Sequence, residues 1–255
     1  MSGMAKAVEG ILWPAADGTL ANHLDHMLLD GVDRAVHLPI ATKPTQYPIL
    51  LRLAQGMRDG EYGERAAHMI VPFLSVHPGD REWEAHLEEV AALGFRGIKV
   101  HPYYQNFSLA DPRVWPFFRK VASLGLVVEC HAGFDVGYPD RLDACGPAEI
   151  AALLKNVKGL IFVAAHLAGC AGFAPHATDE LLDLGCYCDT SGLARDWMKD
   201  EQTRICRSWP TERLLFATDF PWVKSSEAIR WVKSVRAPED WDAIFSANAR
   251  RLLGI

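Results

Sequence analysis

Short runs rich in Val, Ile, Leu and Phe recur along the chain, and amphipathic stretches separate them. The runs are 32–40, 68–78, 95–102, 126–133, 160–169, 186–192 and 214–222. Near-continuous apolar strands joined by helices indicate a parallel sheet that helices cover on both faces. The runs recur roughly every 25 to 35 residues, which is the spacing that βαβ units require.

The length of 255 residues is typical of one (β/α)8 barrel or of one doubly wound α/β domain. No Ser/Gly-rich linker or charge block divides the chain, so the sequence predicts a single domain over residues 1–255. No GxGxxG or GxxxxGK motif opens a helix-like stretch, which argues against a nucleotide-binding sheet. We therefore predict an α/β fold, a (β/α)8 TIM barrel, with the doubly wound sheet as the alternative.

The composition indicates the cellular compartment of the protein and the class of its partners. The net charge of −6 argues against nucleic acid or an anionic membrane as the main partner. The six cysteines form no CxxC pair, as expected for reduced core residues of a cytoplasmic protein. The opening MSGMAKAVEG lacks the apolar core of a signal peptide. We expect a cytoplasmic protein that acts on a small molecule.

Polar side chains stand at the ends of the predicted strands, where a parallel barrel builds its sites. They are His77, Lys99, His101, His131, His166, Asp189 and Asp219. Side chains alternate between the two faces of a strand. This alternation groups Val127 and Glu129 with His131, Phe162 and Ala164 with His166, and Leu215 and Ala217 with Asp219. We predict that His131, His166 and Asp219 converge inside the barrel.

Each of these residues also has an ordinary structural explanation. A lone histidine at a strand end is commonly a hydrogen-bonded core or loop residue, and Asp219 could cap the following helix. Together, however, three buried polar groups carry a large desolvation cost unless something binds them. A divalent cation accepts nitrogen and oxygen ligands. Asp219 is therefore predicted to be a metal ligand or a base beside a metal.

A family resemblance rests on GIKVHP, ECHAG, AAHLAG, DTSG and FATDFPW, in that order. The series resembles the amidohydrolase-related family of metal-dependent hydrolases, and is most similar to the branch of aminocarboxymuconate-semialdehyde decarboxylase and aromatic-acid decarboxylases. The resemblance runs from 31–44 to 248–255. It implies a distorted TIM barrel with one divalent metal ion, usually zinc. It further implies that His131 is a metal ligand, that Asp219 is a ligand that also handles the proton of water, and that His166 is a second-shell or acid–base histidine.

Other polar residues are candidates for an ion pair or for substrate contact. Lys99 and Glu129 should face inward from neighbouring strands, as a buried ion pair or with Lys99 binding a substrate carboxylate. A carbamylated Lys99 bridging two metal ions is a further alternative, although ligands for a second ion are scarce. His101 and Arg195 are candidates for substrate contact. Three further histidines, His23, His26 and His86, are predicted to lie on helices, as surface or helix-face residues.

The sequence departs from the family pattern at its beginning. Members open with a first strand that ends in His-x-His, and this chain has no such motif. One interpretation makes Ala7–Trp13 a degenerate first strand, with Glu9 and Ile11 in place of the histidines. The other places the true first strand upstream of Met1, in which case the 255-residue form should bind metal poorly.

Three functions are compatible with the sequence. The first is a metal-dependent hydrolase of an amide, lactone or similar acyl bond. The second is a nonoxidative decarboxylase of a small unsaturated or aromatic acid, which would use the same residues. The third is a non-catalytic barrel, which the missing His-x-His favours. A homodimer is expected only from the resemblance.

Overall fold

The computed structural model describes residues 14–141, 143–170, 173–192 and 199–255. Its strands are β1 (Ala35–His37), β2 (Ile70–Pro72), β3 (Gly97–Val100), β4 (Val127–Cys130), β5 (Ile161–Ala164), β6 (Tyr187–Asp189) and β7 (Leu214–Leu215). Its helices are α1 (Leu20–Asp30), α2 (Tyr47–Arg58), α3 (Glu64–Met69), α4 (Trp83–Ala92), α5 (Trp115–Ser123), α6 (Pro147–Asn156), α7 (Asp179–Asp183), α8 (Lys199–Ser208), α9 (Ser225–Val235) and α10 (Asn248–Leu253). A π-helical turn, Ala243–Ala247, precedes α10.

The strands run parallel and follow one another in chain order. β1 pairs with β2, a bridge between Leu74 and Ile98 continues the sheet, and β3 to β7 pair consecutively. With helices outside this curved sheet, the architecture is that of an α/β TIM barrel, as predicted. Within the described ranges β7 is not paired with β1. The candidate first strand, with Glu9, lies outside the described residues.

Apolar residues form an inner and an outer layer around the strands. The inner cluster, inside the barrel, contains Phe73, Val127, Val163, Leu215 and Leu253. The outer cluster lies between strands and helices, and β3 and β4 are buried at every position. This double burial explains why the strands read as continuous apolar runs.

Helix α1 contacts helices α3 and α9. It begins where the hydroxyl of Thr19 accepts a hydrogen bond from the backbone N–H of Asn22, and it ends at Gly31 in the left-handed conformation. Leu24 and Met27 bury its apolar face. The carboxylate of Asp30 accepts a hydrogen bond from the backbone N–H of Ser226 at 2.8 Å, which joins α1 to α9.

The strands are shorter than the apolar runs predicted, and the alternation on β5 was predicted wrongly. Val163, rather than Phe162 and Ala164, belongs to the inner cluster. The last run, predicted as 214–222, is a strand only over Leu214–Leu215, so Asp219 stands in the loop beyond it. A residue at such a position is placed by the loop backbone and not by strand periodicity.

All six cysteines are free and buried, in keeping with their predicted role as core residues. Among the described helices, none is both long enough and apolar enough to cross a membrane.

Candidate active site

A cavity of about 1140 Å³ is lined by the inner cluster of the barrel together with residues of α1, of β1 and of the loop beyond β7. Among the polar residues that line it are His23, His37, Lys99, His101, Tyr104, Glu129, His131, Asp135, His166, Asp189 and Asp219. The cavity therefore brings together five of the six site residues predicted from the sequence, namely Lys99, His101, His131, His166 and Asp219. Arg195, the sixth, lies outside the described residues.

His131 directly follows β4, whose register with β3 sets its height in the barrel. Its backbone N–H donates to the carbonyl of Val100 at 3.1 Å, and Glu129 two residues earlier lines the same cavity. The side chain is buried. Burial, followed by the proximity of His101, His166 and Lys99, places the pKa of His131 well below its ordinary value. The imidazole is therefore neutral near pH 7 and keeps a free lone pair.

His166 reaches the cavity through an unusual turn. Strand β5 ends at Ala164, and His166, Leu167 and Ala168 all have left-handed backbone angles, with φ of 59°, 52° and 59°. Such angles are uncommon for residues other than glycine. The turn, rather than the alternation expected from the sequence, directs the imidazole into the site.

A hydrogen-bonded relay connects Asp189 to His131 through Ser191 and His166. Ser191 Oγ lies 2.6 Å from Asp189 Oδ1 and 2.9 Å from His166 Nδ1. His166 Nε2 in turn lies 3.1 Å from His131 Nδ1. The same Asp189 oxygen accepts the backbone N–H of His166 at 3.0 Å, which holds the turn against β6.

The relay specifies a tautomer for each imidazole. An ionised carboxylate only accepts hydrogen bonds, so the Ser191 hydroxyl donates to Asp189 and accepts from Nδ1–H of His166. His166 Nε2 then accepts the Nδ1–H of His131. His131 Nε2 consequently carries a lone pair, and this atom is buried without a hydrogen-bond partner among the described residues. It lies 3.7 Å from Asp135 Oδ2, which is also an acceptor.

Two acceptors that face each other in a buried site need a donor or a cation between them. His101 adds a third atom, because its Nε2 lies 3.2 Å from the same Asp135 oxygen. Its ring stacks on that of His131 with centroids 4.0 Å apart. One ligand atom from each of His101, His131 and Asp135 lies within 4.8 Å of the other two. The donor set of two imidazoles and a carboxylate suits a divalent ion such as Zn²⁺ or Mn²⁺.

Asp219 lines the same cavity from the loop beyond β7, with a left-handed φ of 58°. Its carboxylate is open to the cavity, yet the surrounding protein atoms raise its pKa through burial, while His166 acts in the opposite sense. Burial and the nearby carboxylates of Asp135 and Asp219 raise the pKa of the Tyr104 phenol to about 12. The phenol therefore stays protonated and can donate a hydrogen bond.

Lys99 and Glu129 are register partners on β3 and β4, and both line the cavity. Lys99 Nζ lies 3.7 Å from Glu129 Oε1, with both side chains buried. Burial raises the pKa of Glu129, the nearby Asp189 raises it further, and Lys99 opposes the shift. The two groups thus form a loose pair in which the carboxyl tends toward its neutral form.

Two site residues, Asp135 and Ser191, were not predicted from the sequence. Asp135 stands four residues after His131 in ECHAGFD, in a loop that strand periodicity does not reach. Ser191 belongs to DTSG, where only the aspartate was weighed. His23, predicted as a surface or helix-face residue, lies on α1, lines the cavity and stacks on Phe220 with centroids 4.4 Å apart.

Comparison with known proteins now places the chain. Residues 57–255 match the model of the Amidohydrolase family. The chain belongs to this amidohydrolase family. Among curated proteins, no sequence matches it.

Solved structures share the fold of this amidohydrolase at low sequence identity. 5-Carboxyvanillate decarboxylase from Sphingomonas paucimobilis is 18% identical, with a TM-score of 0.68 over 93% of this chain and 84% of its own. The decarboxylase of the same name from Novosphingobium aromaticivorans, in complex with manganese, is 16% identical, with a TM-score of 0.65 over 91% and 79%. A probable 2-pyrone-4,6-dicarboxylic acid hydrolase from Acinetobacter baumannii is 16% identical, with a TM-score of 0.64 over 91% and 88%.

Proposed function

We propose that this chain is a metal-dependent hydrolase of small carboxylated compounds, and that it cleaves an amide, lactone or similar acyl bond. The observation that carries the proposal is the buried lone pair on His131 Nε2, which the relay fixes and which no described hydrogen-bond donor satisfies. Membership of the amidohydrolase family supports the same reaction class.

His131 and Asp219 would hold one divalent ion, which we propose to be zinc. Such an ion would polarise the acyl carbonyl and acidify water when bound. The residues fit this role because His131 presents a nitrogen lone pair and Asp219 presents carboxylate oxygens to the same cavity. The manganese in the Novosphingobium structure makes Mn²⁺ the other ion to test.

The residues of the chain would divide the proton handling and the positioning between them. Asp219 is open to the cavity and would accept a proton from water at its carboxylate and return it to the leaving group. His166, through its contact with His131, would hold the ring of His131 in its plane and tautomer, as outer-sphere partners of metal-binding histidines do. This is the first of the two roles that the resemblance allowed for His166.

Lys99 would bind the substrate carboxylate, with the Nζ as a point charge. Its Glu129 partner tends toward the neutral form, so the positive charge of Lys99 is incompletely matched. Carboxylated ring compounds appear in the names of the decarboxylases and of the hydrolase that share the fold. A contact of Arg195 with substrate stays a prediction.

The experiment compares two carboxylated rings with the zinc- and manganese-loaded protein. One is a pyrone carboxylate, whose lactone bond can be hydrolysed, and the other is a carboxylated hydroxybenzoate, which can only lose carbon dioxide. Proton NMR would identify the products. We expect ring opening of the pyrone, abolished by Asp219→Asn and retained by His176→Gln, a substitution on the exposed surface.

Decarboxylation is the second candidate, because Lys99 lines the same cavity as His166 and Asp219. Decarboxylases of 5-carboxyvanillate and of 2,6-dihydroxybenzoate are among the structures that share the fold. Loss of carbon dioxide without ring opening would replace the hydrolase proposal by this one. Absence of both reactions, with metal bound, would contradict both and would favour a non-catalytic barrel.

A further inference from the structure

The cavity wall behind His131 contains a buried carboxylate that the family pattern leaves without a role. Asp135 is 7% exposed, and no lysine or arginine in the described part of the chain forms an ion pair with it. Asp189 and Asp219 line the same cavity and also lack such a pair in those ranges. A buried carboxylate without a cationic partner is costly, so this wall has the charge of a cation site.

The backbone presents one oxygen of Asp135 to the two imidazoles. The N–H of Gly137 donates to Oδ1 at 2.7 Å, which fixes the carboxylate and leaves Oδ2 facing the site. A Cβ at position 137 would stand 3.0 Å from that same Oδ1, so glycine suits this close approach. Oδ2 then lies 3.2 Å from His101 Nε2 and 3.7 Å from His131 Nε2.

His101 is held as firmly as Asp135. Gln105, itself buried, accepts the backbone N–H of His101 through Oε1 at 2.8 Å and donates its own backbone N–H to the carbonyl of His101 at 2.9 Å. The ring is 4% exposed and lies nearly parallel to that of His131, at 12°. The two Nε2 atoms lie next to one carboxylate oxygen, at 3.2 Å for His101 and 3.7 Å for His131.

We infer that Asp135 and His101 are metal ligands of this chain. With His131 they form a His-His-Asp set of ligands, which come from the motif KVHP and the segment HAGFD in place of a His-x-His motif. The inference rests on the proposed metal dependence and assigns His101 a different task from the predicted substrate contact. The site would take a borderline divalent ion such as Zn²⁺, Co²⁺ or Mn²⁺. Asp219, which lines the same cavity, would complete the coordination or act beside it.

The test is metal binding and not turnover. Chelator-treated protein is titrated with Co²⁺, followed by visible absorption, and with Zn²⁺, followed by calorimetry, for the wild type and for Asp135→Asn, His101→Gln and Asp219→Asn. His176→Gln is the matched control, because His176 pairs with Asp179 at 2.9 Å on the exposed surface. Asp135→Glu, which restores a carboxylate, guards against a purely structural effect, and melting curves confirm that each variant folds.

We expect Asp135→Asn and His101→Gln each to weaken binding on the order of 10–100-fold or more and to change the Co²⁺ spectrum, with partial recovery in Asp135→Glu. Affinities of folded Asp135→Asn and His101→Gln within about twofold of the wild type would overturn the inference. A wild-type protein that binds no metal would overturn it as well. Tight binding through these residues without turnover of either ring compound would leave the inference standing and would contradict the proposed function alone.

Discussion

The Nδ1 of His131 faces the Nε2 of His166 across 3.1 Å, and this contact is one link in a relay that begins at the Asp189 carboxylate. Each link has one consistent direction of donation. The consequence appears at the far end, where His131 Nε2 presents a bare lone pair to the cavity. The relay thus couples a carboxylate on β6 to the state of a nitrogen on the other side of His131.

Ser191→Ala breaks the relay at its second member. Without the hydroxyl, His166 Nδ1 loses its acceptor, and both imidazoles can exchange tautomers. We expect metal affinity to fall roughly 10-fold, which is the lower range for loss of an outer-sphere partner, and ¹⁵N shifts of His131 to report a tautomer mixture. Ser123→Ala is the control, because its hydroxyl contacts only the Lys120 carbonyl on an outer helix. Unchanged affinity and ¹⁵N shifts would show that the relay has no positioning role.

Gly192→Ala tests the space beside His166. A Cβ at Gly192 would lie 2.8 Å from His166 Nδ1, and the backbone φ is +68°. Gly31→Ala is a matched control, because Gly31 has φ +70° and nothing within 4 Å of an added Cβ. Both variants carry the left-handed cost of about 1–2 kcal/mol, measured as the free energy of unfolding.

Only the variant at Gly192 should also displace His166 and lose activity, with an added destabilisation of roughly 1–3 kcal/mol from crowding. Equal unfolding free energies and equal activities for the two variants would contradict this description of the site.

The pair of Lys99 and Glu129 should respond asymmetrically to substitution. Breaking a tight buried ion pair costs roughly 3–5 kcal/mol, but here the carboxyl tends toward its neutral form and the cavity admits water. Glu129→Gln should therefore lower the free energy of unfolding by well under that amount, on the order of 1 kcal/mol, the usual scale for a single hydrogen bond. Lys155→Met, which removes one member of an exposed pair with Glu180, provides the baseline.

Lys99→Met separates the two interpretations of the lysine. A large loss of stability with normal turnover would identify a structural ion pair. We expect instead a modest loss of stability and at least a roughly 10-fold rise in KM for a carboxylated substrate, the scale of one lost charged contact. A neutral ester of the same substrate should not distinguish the variant from the wild type.

The free energy of unfolding should depend on pH through His23. Burial, with smaller contributions from His37 and His26, lowers its pKa from 6.5 to about 4. Since the folded pKa lies below the unfolded one, the unfolded state binds the proton more readily. This stability is complete above pH 6.5 and is lost as the pH falls toward 4.

His23→Gln should reduce the difference in unfolding free energy between pH 7 and pH 5, measured with urea. His176→Gln, on the exposed surface, should leave that difference unchanged. An undiminished difference in His23→Gln would show that His23 does not titrate as its surroundings imply.

The fold could be predicted from the sequence, because burial on both faces makes each barrel strand a continuous apolar run. Period-two alternation correctly placed Glu129 and His131 on the inner face of β4, and it failed on β5, where Val163 faces inward. Positions after a strand depend on turns that local spacing does not specify. At one such turn an added Cβ at Gly133 would stand 2.6 Å from the carbonyl of Gly169, so two glycine backbones meet where the loops of His131 and His166 begin.

Asp135 escaped notice for the same reason. Its carboxylate lies near His131, four residues earlier, through the conformation of the loop after β4, and near His101 through a contact between distant parts of the chain. Neither contact leaves a periodic signal in the sequence. The sequence did provide HAGFD and KVHP as separate fragments. Their juxtaposition is a property of the barrel.

Metal content is the most direct test of whether His131 Nε2 binds a divalent ion. The protein, purified from zinc- and manganese-supplemented medium and dialysed, is analysed by elemental mass spectrometry together with His131→Gln. We predict about one metal ion per chain in the wild type, and loss of that ion in His131→Gln while the fold is retained. A wild-type protein without metal, or a His131→Gln variant that keeps it, would contradict the account.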